Sequence, residues 1–165
     1  NARYLFGREE WAHWSQETAV ATSGDIPPDI AEVVIETAAV NADSIRPIIA
    51  ARLHELVESN HSLNAEVCLE PTPGHTPGHV SVVIESEGEH AVITGDLMHH
   101  PIQCALPGVS SNFDHDVARA IATRTDFLRR YGDRPVKVFG THFAAPTCGR
   151  LVAQADESWH LVVDD

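Results

Sequence analysis

The chain has 165 residues, enough for one domain with a real core, since a domain near this size removes roughly 70% of its unfolded surface from water. Its formal charge is -13, with Lys137 the single lysine, so repulsion argues against a nucleic acid or an anionic membrane as partner. Cys68, Cys104 and Cys148 are widely spaced, odd in number and form no Cys-x-x-Cys pair, so they suggest neither a disulfide framework nor a thiolate zinc site and read as free, buried or semi-buried thiols. No apolar run approaches the ~20 residues that span a bilayer, and no basic-then-apolar signal pattern opens the chain, so the expectation is a soluble, cytoplasmic protein.

In chain order, Ala2 to Phe6 reads as a short strand, followed by an amphipathic helix in which Trp11 and Trp14 share a face. Residues 18–28 are irregular, and Pro27-Pro28 breaks any helix there. Helices are expected over 29–39 and 44–58. The second starts from a Ser44 cap with Pro47 in its first turn, and Ile45, Ile48, Ile49, Leu53 and Leu56 recur at helix spacing. Strands follow at Glu66–Leu69, Val80–Glu85 and His90–Thr94, the last two joined by the hairpin-length turn Ser86-Glu87-Gly88-Glu89. A helix runs from an Asp114 cap to Tyr131 with Val117, Ile121, Leu128 and Tyr131 on its apolar stripe and Gly132 as its stop. Val136–Gly140 and Trp159–Val163 complete the strands. With no low-complexity linker and no repeat, residues 1–165 read as a single, partial domain of mixed α/β (α+β) class.

Eleven histidines are unusual in a chain of this size, and most have ordinary places. His13 lies on the tryptophan helix and His54 beside the apolar stripe of 44–58, while His61, His90, His115 and His160 fall in polar turns or strand edges. Three positions differ. In Pro71-Thr72-Pro73-Gly74-His75-Thr76-Pro77-Gly78-His79 the prolines and glycines hold a tight loop around His75 before the chain returns to the sheet. Asp96 follows an apolar strand and Gly95, and His142 follows a strand and Gly140-Thr141, so both side chains emerge at strand ends, where ligands gather in α/β structures. A plain Pro/Gly connection, a turn or cap aspartate and a capping or core histidine are the alternative readings. The ordered set of three at strand ends favours a divalent metal held for hydrolysis.

These motifs, Thr72 to His79, Thr94-Gly95-Asp96-Leu97 and Gly140-Thr141-His142-Phe143, resemble in order and spacing the latter part of a metallo-β-lactamase-fold hydrolase, over residues 1 to 163. Gly95-Asp96-Leu97-Met98-His99-His100-Pro101 and Thr141-His142-Phe143-Ala144-Ala145-Pro146-Thr147 resemble the lactonase and phosphotriesterase-like branch more than the glyoxalase II or true β-lactamase branches. The resemblance implies an αββα sandwich with two metal ions in the intact family, usually zinc, with manganese, cobalt or iron as substitutes, and with partial or no occupancy expected in this chain. It assigns His75 to the first metal, Asp96 to a bridge between both and His142 to the second. His79 becomes a supporting residue that donates a hydrogen bond, and His99 a residue that polarises or contacts the substrate; His100 is packed or exposed. The family's His-x-His-x-Asp-His motif, which supplies four further ligands, is absent from this sequence, and Asp114-His115 imitates its end only by accident. The chain therefore reads as the C-terminal portion of a domain: the intact parent would hydrolyse a small lactone, ester or phosphotriester, and this chain alone would be inactive or nearly so. An exposed inner sheet face then implies a homo-oligomer or association with the missing N-terminal half. Two other readings are a non-catalytic scaffold or oligomerisation module of the same fold and a glyoxalase II-like thioester hydrolase.

Overall fold

A computed structural model describes residues 2–21, 38–156 and 158–163. The break expected at Pro27-Pro28 and nearly all of the helix expected over 29–39 fall outside them, although positions 38–40 are helical. The architecture is mixed α and β, as the sequence implies, and it groups into two units, residues 1–58 and 59–165.

In the first unit, β1 (Tyr4–Gly7) leads directly into α1 (Arg8–Ala21). Trp11 on α1 stacks on Phe6 at 5.8 Å and on His54 at 6.2 Å, and Trp14 donates its indole N–H to Glu10 at 2.9 Å. A π-helical turn (Asn41–Ile45) runs into α2 (Arg46–Ala50), with Pro47 in its first turn as expected. The helix expected to continue to residue 58 stops there. Arg52 takes a left-handed φ of 56°, and β2 (His54–Val57) then pairs in parallel with β1, from Tyr4↔His54 to Gly7↔Val57. Exposure along His54 to Val57 falls from exposed Glu55 to buried Val57 without a clean period of two, and β1 offers an edge whose backbone groups need partners. The apolar spacing alone does not separate the two outcomes; the pairing decides.

The second unit is built on a sheet in the order β3-β4-β5-β6-β7-β8: β3 (Val67–Pro71), β4 (Val80–Ser86), β5 (Glu89–Ile93), β6 (Val136–Phe139), β7 (Cys148–Ala153) and β8 (Trp159–Val162). All neighbours are antiparallel except β5 and β6, which are parallel. Strands β3, β5 and β6 consequently run in one direction and end on the same side of the sheet. Strand β7 is not apparent in the sequence because Gly149 and Arg150 interrupt its apolar pattern; Leu151 is nonetheless fully buried. Between β5 and β6 lie a 3-10 turn (Gly95–Leu97), α3 (Ile102–Ala105) and α4 (Val117–Tyr131).

Helix α4 starts later than expected. Asp116, not Asp114, is the cap, its carboxylate accepting from the Arg119 N–H at 3.0 Å. The buried stripe is also displaced: Ala120, Arg124, Phe127, Leu128 and Tyr131 face inward, whereas Val117 is exposed. An arginine in that stripe conceals it from any reading by hydrophobicity. Phe127, Leu128 and Tyr131 pack with Val92, Val136, Val138 and Leu151 from the sheet and with Leu97, Met98, Cys104 and Phe143 from the connections in one apolar cluster. The cysteines are free, and burial pushes the Cys104 thiol up to about 11.

Candidate metal centre

Three connections leave the same side of the sheet, and each is fixed by backbone hydrogen bonds. After β3, the Thr72 N–H donates to His79 O at 2.9 Å and closes the loop that carries His75. That loop is fastened to the start of α4: the His115 N–H donates to His75 O and the Asp116 N–H to Gly74 O, both at 3.0 Å. The Thr123 hydroxyl adds a bond to Pro73 O at 2.7 Å. After β5, the Thr94 N–H donates to Phe139 O at 3.0 Å, which ties the turn carrying Asp96 to the end of β6. After β6, the Gly140 N–H donates to Thr147 O at 2.9 Å and the Phe143 N–H to Gly140 O at 3.1 Å, bracketing His142.

These backbones bring the expected residues together. His142 Nε2 lies 2.6 Å from Asp96 Oδ1, and His75 Nε2 lies 3.5 Å from Asp96 Oδ2. His99 completes the group, its ring 4.8 Å from that of His142 and 5.0 Å from that of His75. Asp96, His99 and His142 each present one donor atom within 4.8 Å of the others, a spacing that could hold a metal ion. Exposure is graded across the site: the His75 side chain is 15% exposed, Asp96 39% and His142 47%, so one side is open to solvent.

The charges are shaped accordingly. Burial pushes the Asp96 carboxyl up, but the hydrogen bond with His142 and the nearby His75, His142 and His79 outweigh it and hold the carboxyl below its ordinary value. Burial pushes His99 down, and the adjacent His75 and His142 push it further, against the opposing pull of Asp96 and Asp114. A neutral imidazole and an ionised carboxylate are the forms that ligate metals. The donor set also fits a divalent ion on another ground. His99 Nδ1 is buried without a hydrogen-bond partner, an expensive state for a polar atom unless something else satisfies it. Imidazole and carboxylate suit zinc, and cobalt, manganese and iron as well.

His79 supports Asp96 from behind, and its polarity differs from the expectation at that contact. Its Nε2 accepts the Asp96 backbone N–H at 2.8 Å, while Nδ1 lies 2.9 Å from Thr72 O and donates to it. Gly95 permits the approach: with φ of 56°, a Cβ there would sit 2.6 Å from His79 Nε2. Behind His79 a buried chain runs from the Thr72 hydroxyl to the Ser81 hydroxyl at 3.0 Å and on to Thr94 O at 3.1 Å. His100 is exposed, with Nδ1 accepting the Ile102 N–H at 3.0 Å.

Two functional candidates escape sequence reasoning. Asp114 has a side chain with no exposed surface and places Oδ1 3.2 Å from His75 Nδ1. Arg124, 1% exposed, lies 3.4 Å from Asp114 Oδ2. No local signal marks either residue, because both act through contacts that exist only after folding.

A donor cluster of imidazoles and a carboxylate, gathered at the ends of β3, β5 and β6, defines a mixed α/β protein with a candidate metal centre. The model of the metallo-beta-lactamase superfamily matches residues 5–148, and the chain belongs to that superfamily. Among solved structures, the chain is similar to the hydrolase AbOPH in the beta lactamase superfamily, at 21% identity and a TM-score of 0.85 over 100% of this chain and 56% of that one. It is similar to AidC, a dizinc quorum-quenching lactonase seen with a product, at 20% identity and a TM-score of 0.76 over 98% of this chain and 54% of that one. A third is an N-acyl homoserine lactone hydrolase with its product bound at the catalytic metal centre, at 18% identity and a TM-score of 0.55 over 88% of this chain and 49% of that one. The chain thus spans about half the length of these structures. No curated protein matches its sequence.

Proposed function

We propose that this chain carries the latter part of a metal-dependent hydrolase centre, with His75, Asp96 and His142 as metal ligands and His99 as the residue that contacts the substrate. The observation that supports this most is the placement of Asp96 between His142 at 2.6 Å and His75 at 3.5 Å, with each carboxylate oxygen facing a different imidazole. Asp96 would hold the metal together with these two histidines, in keeping with the bridging role that the motif resemblance assigns to it. Zinc is the metal of choice, two ions in the intact parent. Once bound, such ions lower the pKa of water and polarise a carbonyl or phosphoryl oxygen. The chain's own residues hold and orient: His79 fixes the Asp96 backbone, and His99, its charged form disfavoured by burial, sets its ring 5.0 Å from that of His75 and 4.8 Å from that of His142. The substrate class is a small lactone, ester or phosphotriester, a reading supported by the likeness to AidC and AbOPH.

The sequence contains no His-x-His-x-Asp-His run, so three ligands would be shared between two ions, each left short of its usual four contacts. The 165-residue chain is therefore expected to be inactive or nearly so. Assays with zinc, manganese or cobalt against lactone, phosphotriester, thioester and β-lactam substrates test this: ordinary turnover by the chain overturns the proposed inactivity, and turnover confined to thioesters transfers the reading to the glyoxalase-like alternative. Paired Ile93 and Phe139 remain 38% and 37% exposed on neighbouring strands, which favours self-association or a partner covering that face. Light scattering is expected to give a mass above that of one chain, and a strict monomer removes this part of the proposal.

A further inference from the structure

Asp114 spends its two oxygens differently. Oδ2 is taken by the Ser110 hydroxyl at 2.6 Å, the Ser111 N–H at 3.3 Å and Arg124 Nη2 at 3.4 Å. Oδ1 faces His75 Nδ1 at 3.2 Å. Arg124 is itself tightly held, donating from Nε to Leu97 O at 3.1 Å and from Nη1 to Pro107 O at 2.7 Å and Val109 O at 2.9 Å. One guanidinium therefore links the turn that carries Asp96 to the loop that carries Asp114.

We propose that Asp114 is a positioning residue for His75: it holds the imidazole with its proton on Nδ1, so that the Nε2 lone pair faces Asp96 and the space where a metal would sit, and Arg124 fixes Asp114 for this task. The inference deepens the reading of His75 as a metal ligand and rests on it. A neutral imidazole has one N–H and here two carboxylates to choose from. Asp96 is 39% exposed and already engaged by His142, whereas the Asp114 side chain has no exposed surface. Charge is weakly screened where water is absent, so the bond to Asp114 is the stronger of the two. A ligating histidine is oriented and made more basic when its other nitrogen donates to a carboxylate. Anchoring the loop through Ser110, Ser111 and Arg124 would not require Oδ1 to meet an imidazole at all.

Two measurements on the full chain separate this proposal from the reading beneath it. In nitrogen NMR of the metal-free chain at alkaline pH, where the imidazole is neutral, the His75 signals, assigned against His75→Gln, are expected to show the Nδ1–H tautomer. The Nε2–H tautomer overturns the proposal, and this result depends neither on metal binding nor on any Asp114 variant folding. In zinc titrations, Asp114→Asn is expected to bind about 10- to 100-fold more weakly than the unmodified chain and to change the visible spectrum of the cobalt form. Equal affinity and an unchanged spectrum overturn it. An unmodified chain that takes up no zinc sinks the metal-ligand reading instead, and the tautomer then decides the role of Asp114 alone.

Discussion

Asp96 is bound to histidines through its side chain and through its backbone, and the backbone contact is the one that a substitution can isolate. His79→Ala leaves the Asp96 N–H and the buried Thr72 carbonyl without their 2.8 Å and 2.9 Å partners. Stranding buried polar groups costs about 1–3 kcal/mol, so urea unfolding should register a loss of that order without any metal present. Gly95→Ala is expected to lose about as much, since it forces a Cβ against His79 at a φ of 56°. Asp114 makes a pH prediction. Burial pushes its carboxyl up, but the hydrogen bonds with Ser110 and His75 and the charge of Arg124 prevail and hold it below its ordinary 3.8. The unfolded chain therefore takes up this proton at higher pH than the folded one. The stabilisation is complete above 3.8 and is lost as pH falls through the folded value. In Asp114→Asn, the loss of stability with acid in that range should be shallower than in the unmodified chain, measured by denaturant unfolding at a series of pH values.

At the scale of elements, the β4–β5 hairpin shows how turn chemistry and pairing divide the work. Ser86 pairs with Glu89, leaving Glu87 and Gly88 as a two-residue turn with φ of 53° and 84°. Both angles are positive, the geometry that favours Asn-Gly. Glu87 bears that conformation at a cost, and Glu87→Asn is expected to raise stability by roughly 0.5–1 kcal/mol in a thermal or urea transition. This hairpin was legible in the sequence because its signal is local. The gathering of His75, Asp96 and His142 at strand ends was legible in the same way, each position being marked by a short pattern of proline, glycine and strand. The second half of the expected 44–58 helix is a strand instead, because Leu53 and Leu56 suit a helix face while the edge of β1, some fifty residues away along the chain, is what captures residues 54–57. Asp114 and Arg124 were illegible for the same reason: a buried carboxylate and guanidinium mean nothing in sequence until the 110–114 loop is folded against His75.

For the molecule as a whole, the division into units 1–58 and 59–165 turns metal binding into a spatial prediction. His75, Asp96, His99, His142 and the supporting His79 and Asp114 all belong to the second unit. An ion that binds only the folded form stabilises it by RT ln(1 + [L]/Kd), about 2.7 kcal/mol at a hundredfold excess over Kd. Because the donors come from the ends of β3, β5 and β6, zinc should tie together segments that open separately without it. Hydrogen exchange is the measurement suited to this, since it resolves local opening where a single melting temperature does not. Zinc is expected to slow exchange over 72–79, 94–99 and 140–143, while β1 and β2 in the first unit stay as they were. Asp96→Asn should abolish the effect in the three segments at once, since Asp96 faces both His75 and His142. Equal protection in both units would instead indicate a general effect of the ion on the chain. No protection anywhere would favour the non-catalytic scaffold, in which the histidines are remnants of a site that no longer holds metal.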